Sequence, residues 1–204
     1  MKVGIVGYGV VGKTRFSSIL KNTPYKIIAI SENNAIARAD IPKNIKVFEN
    51  YQSLIEHANV DIVFISLPNK FAANATILSL QKGLHVFCEK PPAKTLAELE
   101  EVLLMSQKYP DLKLMYGFNH RFHHSVEEAK LIIEENSLGR LVNMRGVYGK
   151  SQMISFNQSD WRTRRDESGG GILLDQGIHM LDLMRYLSGE DFSEIFSFID
   201  NAFW

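Results

Sequence analysis

The chain has 204 residues, of which 45% are hydrophobic, enough to bury a core in one large domain or two unequal ones. Lys and Arg together number 23, as do Asp and Glu, so the net charge favours neither nucleic acid nor an anionic membrane as a partner. The single cysteine, Cys88, excludes an intramolecular disulfide and favours a reducing, cytoplasmic compartment. No apolar run approaches the roughly 18 residues of a membrane helix, so we expect a soluble protein.

Short apolar runs alternate with segments of helical period over the first part of the chain, and this alternation predicts βαβ units around a parallel sheet. Thr95 and Glu98 form the capping box of one helix. We expect residues 1–116 to form an α/β domain. Its predicted strands are 2–6, 26–30, 61–67, 85–88 and 114–116, and its predicted helices are 11–21, 51–57, 71–81 and 96–108.

The pattern changes after Gly117, where a second domain over residues 117–204 is expected. It combines helices and strands that do not alternate regularly, which indicates an α+β domain. The predicted elements are a helix at 125–135, a strand at 141–148, a polar loop at 151–168, a helix at 169–187 and a strand at 195–199.

A glycine motif follows the first strand and opens the first helix. Gly7 permits a tight turn, Gly9 lets the backbone approach a pyrophosphate, and Gly12 allows close packing of helix on strand. Val10 and Val11 lie at the start of the helix and are predicted to contact the cofactor, because the helix N-terminus offers free N–H groups and partial positive charge to phosphates. The motif predicts a Rossmann dinucleotide-binding domain, with a packing turn that binds no ligand as the alternative.

Glu32 ends the second strand, 25 positions after Gly7. A carboxylate at such a position accepts hydrogen bonds from the adenosine ribose and repels a 2′-phosphate. No arginine occurs nearby until Arg38. These residues favour NAD over NADP, and the alternative is that Glu32 is a solvated surface residue.

Two further groups complete a family pattern. Glu89 and Lys90 precede a proline at the carboxyl end of a strand, the edge where open α/β sheets bind ligands. Asp175 and His179 follow the three glycines at 169–171. Together with the glycine motif, these groups resemble the Gfo/Idh/MocA oxidoreductases over essentially the whole chain.

The resemblance implies roles for several residues. It places Lys90 beside the nicotinamide and the reacting carbon, where a lysine can polarise the substrate oxygen and exchange a proton. It implies that Asp175 orients substrate hydroxyls and that His179 transfers a proton together with Lys90. Further cofactor contacts are implied at Pro68, Asn69 and Glu89.

Asp175 and His179 also allow other interpretations. On an α-helix they are i and i+4 and share one face, so they could hold zinc or iron. No third ligand is evident in the sequence, so we expect no metal. A buried histidine with a purely structural role is the remaining alternative.

Four positions are weaker candidates for substrate binding. Asn119 and Arg121 resemble family positions that line the substrate cleft. Trp161 and Arg162 precede the three glycines, and this segment could hold a phosphate or sugar hydroxyls, because arginine makes forked contacts. A solvated basic loop is the alternative for that segment.

The resemblance implies a function and an assembly. We expect hydride transfer between NAD and a secondary alcohol or ketone of a sugar, a cyclitol or a sugar nucleotide; the alternative is a non-catalytic NAD-binding sensor. The family's second domain carries an open antiparallel sheet that mediates oligomerisation. Only residues 117–204 follow the boundary, so we expect part of this substrate-binding domain, a C-terminally truncated chain, and a homodimer or homotetramer at full length.

Overall fold

The computed structural model of the chain describes residues 1–148 and 161–198. The sheet contains six strands: β1 (Lys2–Val6), β2 (Lys26–Ser31), β3 (Lys46–Phe48), β4 (Ile62–Ile65), β5 (His85–Cys88) and β6 (Leu114–Tyr116). Their order is β3-β2-β1-β4-β5-β6, and all neighbours are parallel. This is the order of a Rossmann fold, in which the order reverses between β1 and β4 and leaves a crevice there. The predicted parallel α/β fold is confirmed.

Helices connect the strands, and three further α-helices follow the last strand in the described part of the chain. The capping box predicted at Thr95 and Glu98 is present in altered form, because Glu98 N–H donates to Thr95 Oγ1 at 3.2 Å while Glu98 Oε2 accepts from the N–H of Lys94 at 2.8 Å. The α-helices are α1 (Val10–Asn22), α2 (Ala35–Ala39), α3 (Tyr51–His57), α4 (Asn69–Gln81), α5 (Leu96–Lys108), α6 (His124–Glu134), α7 (Arg165–Ser168) and α8 (Ile178–Ser188).

The sheet has an apolar core on each face. Ile5 and Val6 are consecutive residues of β1 and are both fully buried, but they belong to different core clusters, as expected from the alternation of side chains along a strand. Leu54 of α3 packs directly over β1, where a Cβ at Gly4 would lie 2.9 Å from Leu54 Cδ2. Helices thus cover both faces, which explains why the central residues of the strands are apolar.

The described residues divide into two compact units. The first comprises residues 1–117 together with 161–175, and the second comprises residues 118–148 and 176–198. In the second unit α6 packs against α8.

The antiparallel sheet predicted for the second domain is absent from the described residues. Residues 141–148 and 195–198 contain no strand, and Ile199 lies outside the described ranges, as does most of the predicted loop at 151–168. A strand needs a neighbour to accept its ladder hydrogen bonds, and no described segment pairs with either stretch. Val142 and Phe196 are accordingly 91% and 89% exposed.

No helix within residues 1–148 and 161–198 is both long enough and apolar enough to cross a membrane.

Replacement of Leu54 by alanine should lower the free energy of unfolding by about 2–5 kcal/mol, because it leaves a cavity beneath α3. Leu104 on α5 is 67% exposed, so Leu104→Ala should change the same quantity by less than about 0.5 kcal/mol. Urea unfolding followed by circular dichroism measures both variants. Equal losses would contradict the packing of α3 on the sheet.

Candidate cofactor-binding and catalytic site

A cleft of about 680 Å³ lies in the first unit, at the carboxyl edge of the sheet. The ends of β1, β2, β4 and β5 all contribute to it, because parallel strands place their carboxyl ends at one edge. Of the residues predicted to bind the cofactor, only Gly12 does not line the cleft. Those that do are Gly7, Gly9, Val10, Val11, Glu32, Pro68, Asn69, Glu89 and Lys90.

The three glycines of the loop meet different surroundings. Gly7 has a φ of +87°, and a Cβ there would lie 2.4 Å from the carbonyl oxygen of Ser66. A Cβ at Gly12 would lie 2.0 Å from the carbonyl oxygen of Gly7, whereas a Cβ at Gly9 would meet nothing within 4 Å. Gly7 and Gly12 therefore allow backbone segments to touch, and Gly9 leaves open space.

The N-terminus of α1 is suited to bind an anion. Gly9 is its N-cap and provides no side-chain hydrogen bond, and the first turn contains no acidic residue. Gly9 and Val10 line the cleft. Uncapped N–H groups and the helix dipole attract a phosphate, so the loop fits the pyrophosphate of a dinucleotide.

Glu32 is held in place by two backbone donors. Its Oε2 accepts from the N–H of Tyr8 at 2.7 Å, and its Oε1 accepts from the N–H of Asn34 at 2.9 Å. Arg38, the nearest arginine in the sequence, pairs instead with Glu49 at 3.4 Å. The carboxylate of Glu32 thus has a fixed position in the wall of the cleft.

Glu89 forms an ion pair that no pattern in the sequence predicts. Arg15 of α1 donates from Nε to Glu89 Oε1 at 2.6 Å, and its terminal nitrogen lies 2.6 Å from the same oxygen. The two side chains are only 24% and 17% exposed. No sequence motif links them, because 74 positions separate these residues.

Lys90 contacts Asp175 through two hydrogen bonds. Its Nζ donates to the carbonyl oxygen of Asp175 at 2.6 Å and to Oδ1 of the same residue at 2.9 Å. Both residues line the cleft. The peptide bond between Lys90 and Pro91 is cis. The structure thus brings together two of the three predicted catalytic residues.

The thiol beside this pair is unsuited to nucleophilic chemistry. Cys88 is 1% exposed, and burial raises the pKa of its thiol to about 12. A thiolate is the reactive form of cysteine, so Cys88 is a packing residue at neutral pH.

Within the first unit, residues 161–175 are held against residues 1–117 by side-chain hydrogen bonds. Asn69 Nδ2 donates to the carbonyl oxygen of Ser168 at 2.8 Å, so the predicted cofactor contact also anchors this segment. Lys94 Nζ donates to the carbonyl oxygen of Asp166 at 3.1 Å. Trp161 and Arg162, predicted for the substrate, line the same cleft as the glycine loop.

The second unit contains the third predicted catalytic residue, His179, which is 4% exposed. Its imidazole stacks on that of His120 with ring centroids 4.0 Å apart and an interplanar angle of 13°. Tyr148 stacks in turn on His120 at 5.6 Å, and Phe118 meets His179 edge-on at 6.1 Å. No sequence pattern predicts this ring cluster, because its members are far apart in sequence.

The predicted helical spacing of Asp175 and His179 does not hold. Residues Leu173–Gly177 form a π-helical turn, and α8 begins only at Ile178. A π-helical turn pairs residues i and i+5 rather than i and i+4, so α-helical geometry does not relate the two side chains. Among the described residues no group of three or more metal-ligating side chains is found.

Arg121 is engaged within the second unit. It forms a forked pair with Asp182, with Nε at 2.8 Å from Oδ2 and a terminal nitrogen at 2.5 Å from Oδ1. Its guanidinium also lies 4.9 Å from the centroid of the Tyr186 ring. Because Asp182 is only 10% exposed, this pair holds the turn at Asn119–Phe122 against α8. Asn119 is exposed.

Known proteins share both the sequence pattern and the fold. Residues 1–118 match the oxidoreductase family with an NAD-binding Rossmann fold, and residues 126–204 match the GFO/IDH/MocA C-terminal domain. Levoglucosan dehydrogenase of Pseudarthrobacter phenanthrenivorans is 30% identical, with 93% of this chain and 52% of that protein covered.

Two solved structures are also similar. Myo-inositol 2-dehydrogenase from Lactobacillus plantarum has a TM-score of 0.84 and 28% identity, covering 94% of this chain and 57% of that one. Levoglucosan dehydrogenase in complex with NADH and levoglucosan has a TM-score of 0.83 and 28% identity, covering 93% and 54%. The chain spans about half the length of the curated relatives it matches. It belongs to the Gfo/Idh/MocA family of oxidoreductases.

Proposed function

We propose that the protein transfers a hydride between NAD and a secondary alcohol or ketone of a sugar, a cyclitol or a sugar nucleotide. The observation that carries this proposal is the pairing of Lys90 with Asp175 in the same cleft as the glycine loop. A dinucleotide bound by that loop would lie in the cleft with a proton donor. The similar proteins named above are dehydrogenases of levoglucosan and myo-inositol, which supports a polyhydroxylated substrate.

Glu32 is the proposed determinant of NAD over NADP. Each carboxylate oxygen accepts one backbone N–H and retains a lone pair that can accept a ribose hydroxyl. The negative charge repels a 2′-phosphate at the same place. Arg38, which could neutralise such a phosphate, is paired with Glu49.

Lys90 is the proposed proton-transfer residue. A bound nicotinamide would supply or accept the hydride. In the reducing direction the hydride adds to the carbonyl carbon and Lys90 gives a proton to the oxygen; in the oxidising direction Lys90 takes that proton back. Two N–H groups of its ammonium face Asp175, so the third can hydrogen-bond the substrate oxygen.

The other sequence-derived roles remain proposals. Asp175 holds Lys90, and we also propose that it contacts substrate hydroxyls, whereas His179 is proposed as a second proton-transfer residue. Trp161 and Arg162 are proposed to contact a ligand in the cleft. Assembly into a homodimer or homotetramer and a cytoplasmic location are proposed on the family resemblance and on the single cysteine.

The first test of this function is cofactor preference. Fluorescence titration should show tighter binding of NADH than of NADPH. Glu32→Gln should reduce that preference about tenfold or more, because it removes the charge that repels the 2′-phosphate and weakens the contacts to the ribose. Glu56 is an exposed acid on α3, and Glu56→Gln should leave the preference unchanged. A wild-type preference for NADPH would contradict the role of Glu32.

The second test separates the two kinds of glycine in the loop. Gly9→Val should fold normally, because nothing lies within 4 Å of its Cβ, but it should lose NAD binding, since the side chain fills the space proposed for the pyrophosphate. Gly12→Ala should unfold at a lower temperature, because its Cβ would collide with the Gly7 carbonyl. Thermal melts with and without NAD measure both. If NAD stabilised Gly9→Val as strongly as the wild type, the loop would be only a packing turn.

The third test concerns the reaction. Lys90→Met and His179→Ala should each lower kcat about 10²- to 10⁴-fold while leaving the affinity for NAD nearly unchanged, because proton transfer contributes an acceleration of this size. Lys82 is exposed at the end of α4, so Lys82→Met is a matched control that should keep full activity. Initial rates are measured with a panel of sugars and cyclitols. Full activity in both variants would overturn the assignment, and NAD binding without turnover of any substrate by the wild type would favour a sensor.

A further inference from the structure

The ion pair between Arg15 and Glu89 lies between two parts of the candidate site. Arg15 belongs to α1, the helix whose N-terminus borders the cleft, and Glu89 immediately precedes Lys90. Both nitrogen contacts to Glu89 Oε1 are 2.6 Å long. The pair therefore links the helix of the glycine loop to the strand end that carries the lysine.

The surroundings of this pair fix both partners. The guanidinium carbon of Arg15 lies 5.0 Å from the centroid of the Phe87 ring, a cation–π contact. Glu89 is held by its backbone N–H, which donates to the carbonyl oxygen of Ile65 at 2.9 Å. On the other side its carboxylate packs on Gly117, where a Cβ would lie 2.8 Å from Glu89 Oε2.

Because the pair is largely shielded from water, losing one partner should disturb the local structure more than the loss of a surface ion pair would. Exposed ion pairs contribute little because water screens them, whereas removing one partner of a shielded pair leaves a charge without compensation. With Arg15 removed, the carboxylate of Glu89 would turn toward solvent in the open cleft that it lines. Because Glu89 and Lys90 are consecutive, any shift of the Glu89 backbone that accompanies this turn also shifts the backbone from which the side chain of Lys90 extends.

We propose that Arg15 is a positioning residue for Lys90 and acts through Glu89. The effect of this positioning on turnover rests on the proposed function, but the placement of Lys90 does not. The Nζ of Lys90 is held by two short contacts to Asp175, and both contacts depend on where the backbone of Lys90 lies. Arg15, which is not among the residues that line the cleft, thereby fixes the amine of Lys90 through Glu89.

The placement can be measured without any substrate. Reductive methylation with formaldehyde and cyanoborohydride, followed by peptide mass spectrometry, gives the relative reactivity of each lysine. In Arg15→Met, Lys90 should be methylated about threefold to tenfold faster relative to Lys82, because its hydrogen bonds to Asp175 are weakened. Lys13 lies on the same helix and forms a more exposed ion pair with Asp40, so Lys13→Met should leave the reactivity of Lys90 unchanged.

Two further variants test the path of the effect. In a Glu89→Gln background, Arg15→Met should add little, because residues that act as one unit are not additive. Arg15→Lys keeps the charge and should show a smaller increase than Arg15→Met; it also gives the same readout should Arg15→Met fail to fold. An unchanged relative reactivity of Lys90 in these Arg15 variants would overturn the proposal, as would an equal increase in Lys13→Met.

Turnover provides the second readout. With kcat expressed per NAD-binding site, Arg15→Met should lower it about tenfold to hundredfold, since a displacement of a catalytic group by about 1 Å can have an effect of this size. The KM for the substrate should change less than about threefold. A purely structural role would instead reduce the number of NAD-binding sites and leave kcat per site unchanged, which would overturn the proposal. If the wild type oxidises no member of the sugar and cyclitol panel, the proposed function fails, and the methylation experiment still decides the role of Arg15.

Discussion

The close approach of Gly7 and Gly12 determines where the parts of the site lie. The first turn of α1 can rest against the end of β1 only if Gly12 carries no side chain, since a Cβ there would lie 2.0 Å from the Gly7 carbonyl oxygen. This contact places the N-terminus of α1 at the carboxyl edge of the sheet. It also places Arg15, on the second turn of the helix, within reach of Glu89. One backbone contact thus positions both the proposed phosphate site and the side chain that holds the strand end before Lys90.

Two carboxylates at the same edge of the sheet, those of Glu32 and Glu89, are held in place by different kinds of partner. Glu32 is held by backbone donors, so its position depends on the loop conformation and not on another side chain. Glu89 is held by the guanidinium of Arg15, and its position therefore depends on a residue that substitution can remove. The proposed cofactor selectivity and the proposed placement of Lys90 can consequently be altered separately, because the two carboxylates share no partner among the described residues.

Most of the first unit could be predicted from the sequence, because its strands are apolar runs with clear ends. The strand β3 and the helix α2 were missed, since each is short and neither contains a fully buried residue. The stretches at 141–148 and 195–198 have strand-like sequences, but a strand also requires a partner, and sequence pattern alone does not reveal one. Neither sequence pattern nor motif could pair Arg15 with Glu89, or Arg121 with Asp182, because these pairs depend on the folded chain.

The three consecutive glycines at 169–171 do not all have the same role in the structure. Gly169 has a φ of +80°, and a Cβ there would lie 2.6 Å from the carbonyl oxygen of Lys94. Gly171, by contrast, has nothing within 4 Å of its Cβ position.

Gly169 therefore allows residues 161–175 to pack closely on the rest of the first unit, next to the hydrogen bond from Asn69 to Ser168. The glycine run was predicted to start a helix, but a π-helical turn at Leu173–Gly177 follows it, and α-helix α8 begins only at Ile178. Because Gly169 lets the returning chain lie close to Lys94, Asp175 arrives within hydrogen-bond distance of Lys90.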